Sequence, residues 1–169
     1  MKKGQKIFLG ILYWIWQLTW GCLMTIPGLI VSLFCIVFLK GKVYKNGFSY
    51  VVEIGDDWGG VCLGCVALCC KCKHPSATWD DLRAHEFGHS VQQLILGPLF
   101  LFLVGIPSFI RYWYQTRRDK RCLPNKPYDY AIYEYTASKW GYAWINKIEG
   151  TNLVYTYKRI KINRRGLIK

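Results

Sequence analysis

From Ile7 to Leu39 the chain runs 33 residues without a charged side chain, behind a cluster formed by Lys2, Lys3 and Lys6. A helix needs about 20 apolar residues to cross a bilayer core, so this run is long enough to span once as a tilted helix. It also contains Pro27-Gly28, where a helix can break. The alternative is therefore two segments that enter a membrane and return as a hairpin. A cleaved signal peptide fits less well. The apolar part is too long, and bulky Trp20 in Thr19-Trp20-Gly21-Cys22 falls beside the small residues a cleavage site needs. Residues 1–39 read as a membrane anchor.

Composition agrees with that reading. The chain of 169 residues is 52% hydrophobic and 17% aromatic, yet lysine plus arginine outnumber the acids 23 to 10. Small membrane proteins combine these extremes, with tryptophan and tyrosine at the interface and basic side chains against cytoplasmic headgroups. The net charge of +13 raises nucleic acid as a partner. The basic residues flank apolar runs instead of forming a recognition helix, and no nucleic-acid motif is present, so that partner is not expected.

The next segment, residues 40–73, predicts a small antiparallel β-meander. Lys42-Val43-Tyr44 and Phe48 to Val52 flank Lys45-Asn46-Gly47, a strong hairpin signal. A second turn over Asp56 to Gly60 leads to a third, mostly buried strand from Val61 to Cys70. Cys62, Cys65, Cys69, Cys70 and Cys72 fall here. Without a turn between them, Cys62 and Cys65 point to opposite faces of a strand, which favours buried thiols over a structural zinc site; a disulfide needs an oxidising compartment.

His85-Glu86-Phe87-Gly88-His89 fits H-E-x-x-H and holds two of the three histidines in the chain. On a helix, two histidines four apart share one face and can bind one zinc ion, with the intervening glutamate as general base. The flanks predict that helix from about Trp79 to Leu96. Thr78 can cap it, Asp80 and Asp81 suit the positive end of its dipole, and no proline follows until Pro98. The competing reading is an amphipathic helix whose histidines meet headgroups or a core hydrogen bond.

Ser90 to Ile110 is a second charge-free stretch, and Gly97-Pro98 and Gly105-Ile106-Pro107 predict kinks in it. Arg117, Arg118, Lys120 and Arg121 follow, and Lys158 to Lys169 form a basic tail. The positive-inside rule puts these basic stretches and the amino terminus on the cytoplasmic side, with the metal site at or just below that interface.

Catalytic zinc takes three protein ligands and leaves a position for water. Candidates for the third are Glu134, His74, Glu53, Glu149 or a nearby aspartate. Glu134 is best placed, on a predicted helix with Trp140 and Trp144 on one face. Tyr130, Tyr133 and Tyr135 are near it in sequence and are candidates for an oxyanion donor.

His85-Glu86-Phe87-Gly88-His89 followed by a glutamate on a later helix resembles the gluzincin metallopeptidases. Their later helix reads E-x-x-A-D, and Glu134-Tyr135-Thr136-Ala137-Ser138 matches all but its last residue. His85 to Pro107, with Gln92, Leu96-Gly97-Pro98-Leu99 and Gly105-Ile106-Pro107, is similar to small bacterial membrane proteins bearing H-E-x-G-H. There the later segment reads E-K-W-A-D or E-K-W-A-N, against Ser138-Lys139-Trp140-Gly141-Tyr142 here. In that alignment Ser138, a poor zinc ligand, stands where the glutamate would be.

The resemblance implies an α+β membrane protein: apolar helices or helical hairpins, a β-meander and an H-E-x-x-H helix (residues 74–114, with the second apolar segment) facing a third-ligand helix (residues 127–149). It implies zinc on His85, His89 and Glu134, with Glu86 as base, hydrolysing peptide bonds near the cytoplasmic face of a bacterial membrane. The partners are then the lipid bilayer and a peptide or membrane-protein substrate. The alternative is a catalytically degenerate relative with a metal-binding or scaffold role.

Overall fold

The computed structural model describes residues 1–56, 58–71, 78–124 and 126–155. The basic tail from Lys158, together with His74 and Cys72, lies outside the described residues. Helices α1 (Lys3–Thr19) and α2 (Cys22–Phe38) come first. Strands β1 (Lys42–Asn46), β2 (Ser49–Asp56), β3 (Gly60–Leu63) and β4 (Val66–Lys71) follow, then helices α3 (Trp79–Leu96), α4 (Ile106–Lys120) and α5 (Ile132–Glu149).

The first apolar run breaks at Trp20-Gly21 and not at Pro27-Gly28. Pro27 lies inside α2, which continues through it to Phe38. Gly21 is needed by its surroundings: a β-carbon there would lie 2.6 Å from Gln17 Oε1 and 2.9 Å from Gln93 Nε2. Gln93 Nε2 donates to the Gly21 carbonyl at 2.8 Å, tying the bend to α3. Tyr13, Gln17, Thr25 and Ser90 join this buried polar cluster, with Thr25 Oγ1 donating to Gln17 Oε1 at 3.0 Å and Gln17 Nε2 to Ser90 Oγ at 3.1 Å.

This geometry overturns the integral-membrane reading, because no single helix among the described residues is long and apolar enough to cross a membrane. α1 and α2 have 17 residues each and meet at 97°. At 1.5 Å per residue each covers about 26 Å, short of the roughly 30 Å hydrocarbon core. The second stretch bends by 118° between Trp79–Leu99 and Leu101–Lys120. The placement in a bacterial cytoplasmic membrane with both ends cytoplasmic, and a site set at its interface, falls with that reading. Residues on the outer faces of α1 and α2, such as Phe8, Ile30 and Phe34, are apolar and exposed, so composition and length alone resemble an anchor.

The antiparallel meander is also corrected. The sheet is mixed, in the order β1-β2-β4-β3, with β2 and β4 parallel. The stretch from Val61 to Cys70 is two strands, because Gly64 turns at φ +74° and folds β3 back antiparallel on β4. β4 is buried from Val66 to Cys70 and takes the interior position, whereas half-exposed β3 takes the edge beside α3. The hairpin at Asn46-Gly47 forms as its sequence predicts, with Gly47 at φ +63°.

α3 begins as its residues dictate. Thr78 Oγ1 accepts from the Asp81 amide at 3.2 Å, and Asp81 Oδ2 accepts from the Thr78 amide at 3.0 Å. Its partner α5 buries Glu134, Ala137, Ser138, Gly141, Tyr142, Ile145 and Ile148, a stripe at helical spacing.

Candidate metal centre

The two helices touch through glycine. A β-carbon on Gly88 would stand 1.8 Å from the Ala137 carbonyl oxygen, and one on Gly141 1.8 Å from that of Ala84. This backbone approach brings the histidine face of α3 against the first turn of α5.

There Glu134, fully buried, meets both histidines. Its Oε2 is 3.1 Å from His85 Nε2 and 3.2 Å from His89 Nε2, and its Oε1 accepts from Ser108 Oγ of α4 at 2.5 Å. The two imidazoles stand edge to face, with centroids 4.7 Å apart.

The outer ring nitrogens are engaged elsewhere. Gln92 Nε2 donates to the Tyr133 carbonyl and to Thr136 Oγ1, each at 2.7 Å, which leaves Gln92 Oε1 to accept from His89 Nδ1 at 2.8 Å. Ser138 Oγ donates to Asp129 Oδ1 at 3.3 Å and so accepts from His85 Nδ1 at 2.8 Å. Asp129 in turn accepts from the Tyr155 hydroxyl at 2.5 Å. Both histidines thereby carry their proton on Nδ1 and turn the Nε2 lone pair toward Glu134 Oε2.

Three lone pairs aimed at one point repel unless a cation lies among them. His85, His89 and Glu134 form a group that could hold a metal ion, its ligand atoms within 4.8 Å of one another. The donor set of two imidazoles and one carboxylate, oriented from behind, fits a divalent metal.

Glu86 is also buried. Its Oε2 has no hydrogen-bond partner, and burial pushes its carboxyl up to about 7, with His89 pulling down and Glu134 adding to the rise. Gly60 of β3 makes room for it, since a β-carbon there would meet Glu86 Oε1 at 2.6 Å. Glu86 and His89 line a cleft of about 310 Å³ between β3, the π-helical turn Leu101–Gly105 and α4.

The other third-ligand candidates lie elsewhere. Glu149 bonds Arg83 at 2.8 Å and the Gly47 amide at 2.9 Å, and Glu53 pairs with Lys42 and Cys69 in the sheet. Asp80 bonds Arg83, and Asp81 caps α3. Tyr130, Tyr133 and Tyr135 are not among the cleft-lining residues, whereas Tyr112 is. Ser138 stands behind His85 rather than at the ligand position. Cys62 and Cys65 are buried thiols, and no cysteine set joins the metal-capable group among the described residues. Ser108 and Asp129 carry no sequence signal, and their roles arise only from the fold.

Comparison with protein-family models, with curated proteins and with solved structures finds no match to this chain.

Proposed function

We propose that this protein is a zinc-dependent hydrolase of peptide bonds. The observation that carries the reading is the convergence of His85 Nε2 and His89 Nε2 on one oxygen of Glu134, beside a buried Glu86 carboxylate oxygen without a partner. Two imidazoles and one carboxylate suit zinc, and a bound zinc ion would supply Lewis acidity, polarising a carbonyl and acidifying water.

The chain's own residues supply the rest. Gln92 and Ser138 hold the imidazoles in the tautomer that offers Nε2. Glu86, tuned close to neutrality by burial, takes a proton from the attacking water and passes it to the leaving amine. β3 has a strand neighbour on one side only among the described residues, and its other edge borders the cleft, where an extended peptide could pair with it. The likeness of the motif and of Glu134-Tyr135-Thr136-Ala137 to the gluzincin pattern supports the same reaction.

The test is metal content and peptide cleavage measured together. The purified protein should carry one zinc per chain and cut a mixed peptide pool, and Glu86→Gln should keep the zinc and lose cleavage by at least about a hundredfold. Full cleavage by Glu86→Gln, or a parent protein that binds no zinc, would overturn the proposal. Zinc without cleavage in the parent protein would leave a metal-binding scaffold.

A further inference from the structure

The cleft beside Glu86 and His89 has walls of one chemistry. Trp58, Val61, Phe100, Val104, Phe109 and Tyr112 present carbon to it, and apart from Glu86 no acidic side chain, lysine or arginine lines it. Apart from Glu86, its polar side chains are already engaged. Ser108 Oγ donates to Glu134, the Tyr112 hydroxyl donates to the Trp58 carbonyl at 2.8 Å, and Cys62 Sγ lies 3.5 Å from the Gly64 carbonyl. A charged side chain entering this space would lose its hydration and find at most one counter-charge, the carboxylate the reaction needs. A volume of about 310 Å³ is at the small end for ligand sites, room for one large side chain and not for a string of them. An extended peptide along β3 turns alternate side chains to one face, so a single one is delivered to the cleft.

We infer that this cleft is a side-chain subsite taking one large, uncharged apolar side chain, of leucine or phenylalanine size, from a residue flanking the bond to be cut. The inference rests on reading the site as a peptide hydrolase. It places the specificity in the turn before α4 and in β3, away from the metal-holding residues.

The experiment uses blocked peptides identical except at one position, which carries Leu, Phe, Ala, Asp or Lys. Binding is measured on the zinc-loaded Glu86→Gln protein, and cleavage on the parent protein. Leu and Phe peptides should bind at least about tenfold more tightly than the Ala, Asp and Lys peptides, the discrimination an apolar pocket can give. Phe109 is 70% exposed, so Phe109→Asp should leave folding and zinc content intact while erasing that preference. Equal binding across the set, tighter binding of Asp or Lys, no binding at all, or an unchanged preference in Phe109→Asp would each overturn the inference. Selective binding with no cleavage by the parent protein would instead remove the hydrolase reading and leave the cleft assigned. Cleavage without selectivity would do the reverse.

Discussion

Gly88 of α3 lies directly against the carbonyl of Ala137 on α5, with no room between them for a methyl group. The contact sits between His85 and His89 in sequence and one turn from Glu134, so it sets the spacing on which the ligand group depends. Gly88→Ala forces the helices apart at that point. Overpacking of this kind costs about 1–3 kcal/mol, and here it also moves both histidines away from Glu134. A lower melting temperature together with lost metal binding is expected, while Gly4→Ala, with nothing within 4 Å of the added carbon, changes neither. Calorimetry and a zinc titration on the two variants check this.

Glu134 and Glu149 are both candidates in the sequence, and the structure gives them different work. Glu134→Gln replaces a buried ligand carboxylate by an amide and should weaken zinc binding by at least about a hundredfold. Glu149→Gln breaks the exposed bridge to Arg83, so it should keep the zinc and lose no more than about 1 kcal/mol of stability. Chelator competition separates the two, and equal zinc affinity in both variants would remove Glu134 from the ligand set.

How far the sequence reaches depends on whether a feature is local. α3 occupies Trp79 to Leu96 as its residues predict, because Thr78, Asp80, Asp81 and Gly97-Pro98 act within a turn of its ends. Glu134 could be found because it lies on a helix after an H-E-x-x-H motif. The break at Gly21 could not, because the carbonyl at the bend is held by Gln93, 72 residues away. The parallel pairing of β2 with β4 is likewise hidden, since a hairpin at Gly64 and an adjacent third strand look alike until burial decides which strand goes inside. Counting apolar residues leaves open whether and where the run bends; the bend of 97° falls at Gly21 instead of Pro27-Gly28, and no single helix among the described residues is long and apolar enough to cross a membrane.

Acid stability offers a test away from the metal. Burial raises the Asp81 carboxyl, but hydrogen bonds from Tyr142 and from the amide and hydroxyl of Thr78 outweigh it, and its pKa lies below the ordinary value. A carboxylate depressed on folding contributes stability above its unfolded pKa, about 3.9, and loses it as pH falls through the lower folded value. Tyr142→Phe removes one of those bonds. The variant should be less stable by about 1 kcal/mol near pH 7, a figure held down by solvent around a partly exposed carboxylate. The gap to the parent protein should stay constant down to about pH 5 and close below about pH 4. Urea unfolding across that range checks it, and a gap that widens in acid would contradict the assigned bond.

Ser138 occupies the position where the gluzincin pattern carries an aspartate, and in the structure it passes the role on. Its hydroxyl receives the His85 Nδ1 proton and gives its own to Asp129, so a carboxylate stands behind the imidazole at one remove. Ser138→Ala strips His85 of that acceptor and frees the ring to turn or to change tautomer. Zinc affinity should fall by about 10–100-fold, the usual effect of removing a hydrogen-bond partner behind a histidine ligand. Ser138→Thr keeps the hydroxyl and should restore the affinity, which a merely structural role for the small side chain would not produce. Asp129→Asn leaves the hydroxyl in place and should have a smaller effect in the same direction. If Ser138→Ala binds zinc as the parent protein does, the hydroxyl does not orient His85, and the ring must be held by its packing between α3 and α5 alone.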